Sequence, residues 1–326
     1  MTPTTRKTTA KTLRRVVLAA ALVGATALTA CTAGDALDLR AEQPVPRSLR
    51  IAMKTKNMAA DAPVLMRIFK ESNELEVWKQ KRDGEYALLK KFEICKWSGE
   101  LGPKRKEGDK QAPEGYYFVN QGLLNPRSSF YLSFNLGFPN RFDRSHSRTG
   151  SFLMVHGACS SAGCYAMTDE QMAEIYALAR DALRGGQRNF QVQALPFRMT
   201  PENMARHRNS EHFEFWQNLK VGYDHFELTK RPPKVDVCER SYHFNKKPVD
   251  GGAFEPSAQC PQATTPKALA KLYADYQTGY QLRFDKAVRK LGGTVKAPSV
   301  ADASEDAVSD VSVPEGVTVD PLVAAQ

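Results

Sequence analysis

The stretch that most constrains this chain runs from residue 151 to residue 186. Residues 151–155 form an uncharged, largely apolar run that ends on His156 and Gly157. Such a run suits a strand buried on both faces. A loop of small residues follows and delivers Cys164. Thr168 and Gln171 then have the spacing of a helix capping box. Met172, Ile175, Tyr176, Ala179, Ala182 and Leu183 make one apolar stripe, as on a helix with one buried face. Gly185-Gly186 stops that helix. Strand, tight loop and capped helix therefore follow one another, and the loop brings a histidine and a cysteine together.

The flanking pattern extends this reading. Residues 64–69 fit a strand. Residues 74–80 and 86–94 alternate around Arg82-Asp83-Gly84, which reads as a hairpin. Residues 102–115 and 138–150 are polar loops, whereas 116–119, 130–136 and 190–197 resume strand patterns. After Thr200 the period changes. Residues 201–226 look helical, with Phe213, Trp216, Leu219 and Tyr223 on one face. Residues 231–262 look irregular. Thr265-Pro266 opens a long helix with Leu269, Leu272, Tyr273, Tyr276, Tyr280, Phe284, Val288 and Leu291 recurring every three or four positions. Its aromatic stripe is expected to pack on the β body. The expected organisation is a mainly β domain over 48–200 and a mainly helical extension over 201–293. Residues 294–326 have no period and are expected to be disordered.

The chain has 326 residues and a formal charge of +10, unevenly placed. Residues 1–30 carry five bases and no acid, and 297–326 carry six acids and no base, so the body between them is more basic than the total. A basic body suits nucleic acid, an anionic cell-wall polymer or lipid headgroups. No nucleic-acid motif is present, so nucleic acid is not an expected partner. The basic start and the apolar run 16–30 read as a signal segment, too short for a comfortable membrane span. Leu28-Thr29-Ala30-Cys31 resembles a bacterial lipobox, in which Cys31 is lipidated; ordinary cleavage after Ala27 is the alternative. Thr32 after that cysteine favours the outer membrane, on the periplasmic side. Residues 31–47 then serve as a tether.

Six cysteines are present. Beyond Cys31, an exported chain permits disulfides among Cys95, Cys159, Cys238 and Cys260. Cys238 with Cys260, and Cys95 with Cys159, are candidate pairs that spacing alone does not settle. Five is odd, and Cys164 is the candidate free thiol. No zinc-like spacing occurs, so no metal is expected, nor any cofactor. A thiol acts as a nucleophile only as thiolate, which needs a base, a positive charge or a helix N-terminus nearby. His156 is the local base. The helix after Thr168 directs its positive end toward the loop. The amides around Gly163 and Cys164 are candidates for an oxyanion hole.

The order H-G, then S-x-G-C, then aromatic-x-Met before a capped helix resembles the active-site signature of the L,D-transpeptidase (YkuD-type) catalytic domain. Most members read (S/T)-H-G-C; here Ser161, Gly163 and Cys164 match, and Ala162 replaces the second histidine. That departure, the short gap after His156, and G-C-Y-A-M resemble the YafK-like branch. So do P-V-L-M-R-I-F-K at 63–70, W-S-G-E-L-G-P-K at 97–104, G-D-K-Q-A-P-E-G-Y-Y at 108–117, L-S-F-N-L-G-F-P-N at 132–140 and L-P-F-R-M-T at 195–200. The resemblance implies a β-sandwich with one helix after the nucleophile. It implies that Cys164 forms a thioester with peptidoglycan stem peptides containing diaminopimelate, that His156 is the base, and that the Gly157 carbonyl orients the imidazole. An amine acceptor gives transpeptidation; water gives an L,D-carboxypeptidase or an amidase that frees a wall-attached lipoprotein. A non-catalytic wall-binding lipoprotein is the alternative of another class. Ser161, Tyr165, Met167 and Lys110 are candidate substrate contacts. Lys104 and Arg148 either hold substrate carboxylates or are solvated at the surface.

Overall fold

The structure, a computed structural model, describes residues 39–294. The expected signal segment, Cys31, the first part of the tether and nearly all of the C-terminal tail lie outside the described residues.

Two five-stranded sheets form the body. The first has the order β3-β2-β1-β10-β5, from Tyr86–Glu93, Glu74–Gln80, Val64–Phe69, Phe190–Leu195 and Gly115–Val119. The second has the order β4-β9-β8-β7-β6, from Lys96–Trp97, Tyr165–Ala166, Met154–His156, Ser133–Asn135 and Leu124–Asn125. This is the mainly β, sandwich-like architecture expected. The hairpin of β2 and β3 turns at Gly84, whose φ of 85° is one that glycine adopts freely. Helix α3, Asp169–Arg184, leaves the second sheet and feeds the first. Its N-terminus is a complete capping box between Thr168 and Gln171, and the whole predicted stripe is buried.

Every residue of β1 is buried, and its two faces enter different cores. Val64, Met66 and Ile68 join the main core with Ile175, Leu178 and Val155. Leu65 and Phe69 point the other way, toward the C-terminal segment. The fully buried Arg67 bonds Glu227 and lies over Phe69, Tyr223 and Phe226. The extension thus roofs the outer face of the first sheet, and a central strand buried on both faces reads as a continuous apolar run.

Several expectations shift. Residues 41–45 are not tether: Ala41 and Val45 are buried in the main core, and Arg180 of α3 donates to the carbonyls of Ala41 and Gln43. Helix α1, Arg47–Thr55, follows directly. The helical run 201–226 divides into α4, Pro201–Arg206, and α5, Phe213–Thr229. Short helix α2, Arg141–Ser145, lies in the loop after β7. The stretch read as irregular holds a hairpin of β11, Val235–Cys238, and β12, Ser241–Phe244. A further two-residue pair joins β13, Lys247–Pro248, to β14, Ala263–Thr264. The last helix α6, Lys267–Lys290, packs on α4 and α5 rather than on a sheet. Its Tyr276 and Gln277 both donate to Asp224 of α5, and Tyr273 meets the His225 ring edge-on. Disulfides join Cys95 to Cys159 and Cys238 to Cys260, and Cys164 is free.

Candidate active site

Strands β8 and β9 run parallel, with Val155 opposite Tyr165 and His156 opposite Ala166. Continuing that register by one step sets Cys164 beside Met154. Side chains two apart on a strand share a face, so Met154, His156, Cys164 and Ala166 point the same way. A strand spacing of ~4.8 Å and a rise of ~3.3 Å per residue put the Cys164 and His156 Cα atoms on the order of 8 Å apart. The pair is therefore brought to one face. The thiol does not rest on the imidazole: its partners are the Met154 N–H at 3.4 Å and the Phe152 carbonyl at 3.6 Å.

His156 is buried and neatly fixed. Its Nδ1 lies 2.6 Å from the Gly157 carbonyl, which can only accept, so Nδ1 carries the proton and Nε2 is the basic nitrogen. The Phe130 ring packs 4.8 Å from the imidazole. Gly157 has no room for a side chain, since a Cβ would fall 2.5 Å from Asp169 Oδ1. Burial holds the imidazole below its ordinary pKa, slightly offset by the Gly157 bond. Burial likewise pushes the Cys164 thiol up, against the Met154 bond and the Lys104 charge. Both groups are then neutral at pH 7, and the base must take the thiol proton during reaction. Iodoacetamide alkylation of Cys164 is accordingly expected to quicken roughly tenfold per pH unit from pH 7 to about pH 8.5. A rate already level at pH 6 would indicate a preformed thiolate instead.

The loop carrying the thiol is closed by Ser161. Its hydroxyl accepts from Cys164 N at 2.9 Å and Gly163 N at 3.3 Å, and donates to the Cys164 carbonyl at 2.7 Å. Ser161 thus shapes the turn rather than offering itself to substrate. The same bonds occupy the two amides expected to form an oxyanion hole. Gly163 has φ 134°, a region that L side chains rarely adopt.

The other sequence candidates separate. Tyr165 and Met167 are fully buried. The Tyr165 hydroxyl donates to the Pro113 carbonyl, and Met167 N–H donates to the His156 carbonyl. They support the site from beneath and do not face substrate. Lys110 is exposed, and its Cα lies 4.0 Å from where a Gly163 Cβ would stand, so it stays at the rim. Lys104 and Arg148 are neither solvated nor free: Lys104 is paired with Asp109 and Arg148 with Asp143. Asp109 also accepts from the amides of Arg105, Lys106 and Gln111; against burial, which raises it, the Lys104 bond and these amide bonds hold its carboxyl down at about 2. The N-terminus of α3 faces the turn after His156, where Asp169 accepts from Ala158 N–H at 2.7 Å.

Two residues at the site escaped the sequence reading. Phe130 and Phe152 are large apolar residues with 49% and 75% of their surface exposed; the Phe130 ring packs against the base, and the Phe152 backbone carbonyl meets the thiol. Phe152 also has φ 55°, uncommon for a bulky residue. The apolar run 151–155 concealed this, because a left-handed residue inside it delays β8 to Met154.

The L,D-transpeptidase catalytic domain (YkuD) family model matches residues 73–192, a span that contains His156 and Cys164. Two proteins named "Putative L,D-transpeptidase YafK", from Escherichia coli strain K12 and Escherichia coli O157:H7, are each 44% identical over 196 residues. That alignment covers 60% of this chain and 79% of theirs. The crystal structure of the helical cell shape determining protein Pgp2 from Campylobacter jejuni is 17% identical, covering 58% of this chain and 79% of that one. Its TM-score is 0.32, too low to support an argument.

Proposed function

This chain belongs to the L,D-transpeptidase (YkuD-type) catalytic-domain family, and from that premise we propose that it is an exported cysteine enzyme acting on peptidoglycan stem peptides. The observation that carries the reading is the parallel pairing of β8 with β9, which sets a free thiol and a neutral, oriented imidazole on one face.

In the proposed reaction the imidazole Nε2 takes the thiol proton, and Cys164 Sγ attacks a peptide carbonyl next to diaminopimelate. The tetrahedral intermediate expels the amine, which takes the proton from His156, and a thioester remains. His156 then deprotonates the incoming acceptor. An amine acceptor re-forms an amide and gives transpeptidation. Water gives hydrolysis, either as an L,D-carboxypeptidase or as an amidase that frees a wall-attached lipoprotein. Ala162, exposed beside the thiol, can serve neither as acid nor base, so His156 is the local base for both half-reactions. Export, the lipid at Cys31 and a periplasmic, outer-membrane location belong to the same proposal and rest on the N-terminal sequence alone.

Incubating purified muropeptides with the protein and separating the products tests the reading. Dimers indicate transpeptidation, and shortened stems indicate hydrolysis. Unchanged muropeptides, or products equally abundant with Cys164→Ala, would leave the non-catalytic wall-binding alternative.

A further inference from the structure

A cavity of about 460 Å³ opens between Pro103 and Arg105, helix α2, the start of α5 and the tip of the β11–β12 hairpin. Neither Cys164 nor His156 lines it. Most of its charges are committed: Arg148 to Asp143, and Arg105 to Glu211. Glu214 and Arg240 differ. Both line the cavity and are exposed, and neither forms an ion pair among the described residues. Among the described residues, the cavity therefore presents one carboxylate and one guanidinium without an ion-pair partner.

The backbone under Arg240 is unusual. Glu239 and Arg240 have φ 48° and 55° in a two-residue hairpin turn. Such a turn ordinarily takes Asn-Gly, because both central residues are left-handed. Here two charged residues occupy it, and the surroundings hold them in place. Glu239 N–H donates to the Ala258 carbonyl, Arg240 N–H to the Pro256 carbonyl, and His146 Nε2 to the Arg240 carbonyl. The Cys238–Cys260 disulfide anchors the loop that supplies these acceptors. A strained turn fixed from several sides at a cavity mouth argues for a ligand role.

We propose that this cavity is a subsite for the zwitterionic amino-acid end of a diamino acid, Arg240 taking its carboxylate and Glu214 its ammonium. The inference rests on the acyl-transfer reading, in which diaminopimelate flanks the scissile bond. One loop links cavity and thiol. Pro103 lines the cavity, and the Lys104 side chain packs against Gly150. Phe152, two residues on, directs its carbonyl at Cys164. Contacts remote from the reacting bond can orient a substrate without touching the reacting atoms.

Calorimetry on the full Cys164→Ala chain tests the proposal without turnover, using meso-diaminopimelate, pimelate and cadaverine as probes. The diamino acid is expected to bind at least tenfold more tightly than the dicarboxylate or the diamine. Arg240→Gln and Glu214→Gln, both at exposed positions, are each expected to weaken it at least tenfold. No binding of meso-diaminopimelate, equal binding of pimelate or cadaverine, or variants that bind like the parent would overturn the proposal. None of these results bears on whether Cys164 forms a thioester, so the two readings fail separately.

Discussion

Replacing Glu114 with Ala is expected to lower the stability of the protein by about 3–5 kcal/mol, the usual cost of leaving one partner of a buried ion pair alone. Glu114 and Lys70 have no exposed side-chain surface and lie 3.0 Å apart. Lys70 also donates to the carbonyls of Gly102 and Glu100. Glu114 accepts from Gly102 N–H at 2.7 Å and from Trp216 Nε1 at 2.8 Å. Removing the carboxylate would strand an ammonium, an indole N–H and a backbone N–H together. The network joins the end of β1, the entry to β5, the 98–113 loop beside the active site, and α5. Urea unfolding of the variant against the parent measures the loss. Lys70→Met with Glu114→Leu should recover the part due to the stranded ammonium, because an apolar pair removes the charge as well as its partner, while the Trp216 and Gly102 N–H groups stay unpaired. A loss under about 1 kcal/mol for the single variant would mean that water reaches Lys70.

The second large effect concerns the base. His156→Ala is expected to reduce kcat by roughly 10²–10⁴-fold, the range for a general base, with KM little changed. Neither the thiol nor its neighbours ionise it in advance. Burial raises the Cys164 pKa, and Lys104, the cation that acts on it, is itself paired with Asp109. The proton therefore has to go to His156 as the bond forms. Protonating His156 removes the base, so kcat/KM should fall on acidification through a value below that of an ordinary histidine. That acid limb should vanish in the variant. Equal falls in both proteins would place the titration elsewhere.

The architecture was legible because its signals are local. The Gly84 turn, the capping box at Thr168 and the stripe on α3 each depend on residues close together in sequence. The extension's role was not legible. Leu65, Arg67 and Phe69 find partners about 160 residues later, and a buried run shows only that both faces are covered, not by what. The β11–β12 hairpin was hidden for a different reason: Glu239 and Arg240 occupy a turn whose usual signature is absent.

At the site, sequence singled out Cys164 and His156, and parallel pairing sets them on one face. What sequence could not supply was hydrogen-bond direction. Ser161 was a candidate substrate contact, and its hydroxyl proves to close the turn. Tyr165 and Met167 sit next to the nucleophile in sequence, yet β9 turns them into the core. Lys104 and Arg148 looked like surface cations, but their carboxylate partners lie five residues away and bury them.

The most direct test is the mass of the intact protein within the first turnover on a tetrapeptide-stem muropeptide, quenched in acid and mapped by proteolysis. The account predicts a mass gain equal to the donor acyl group, located on Cys164, removed by hydroxylamine and absent from Cys164→Ala. Undiminished turnover by Cys164→Ala, or an acyl group mapped to another residue, would contradict it.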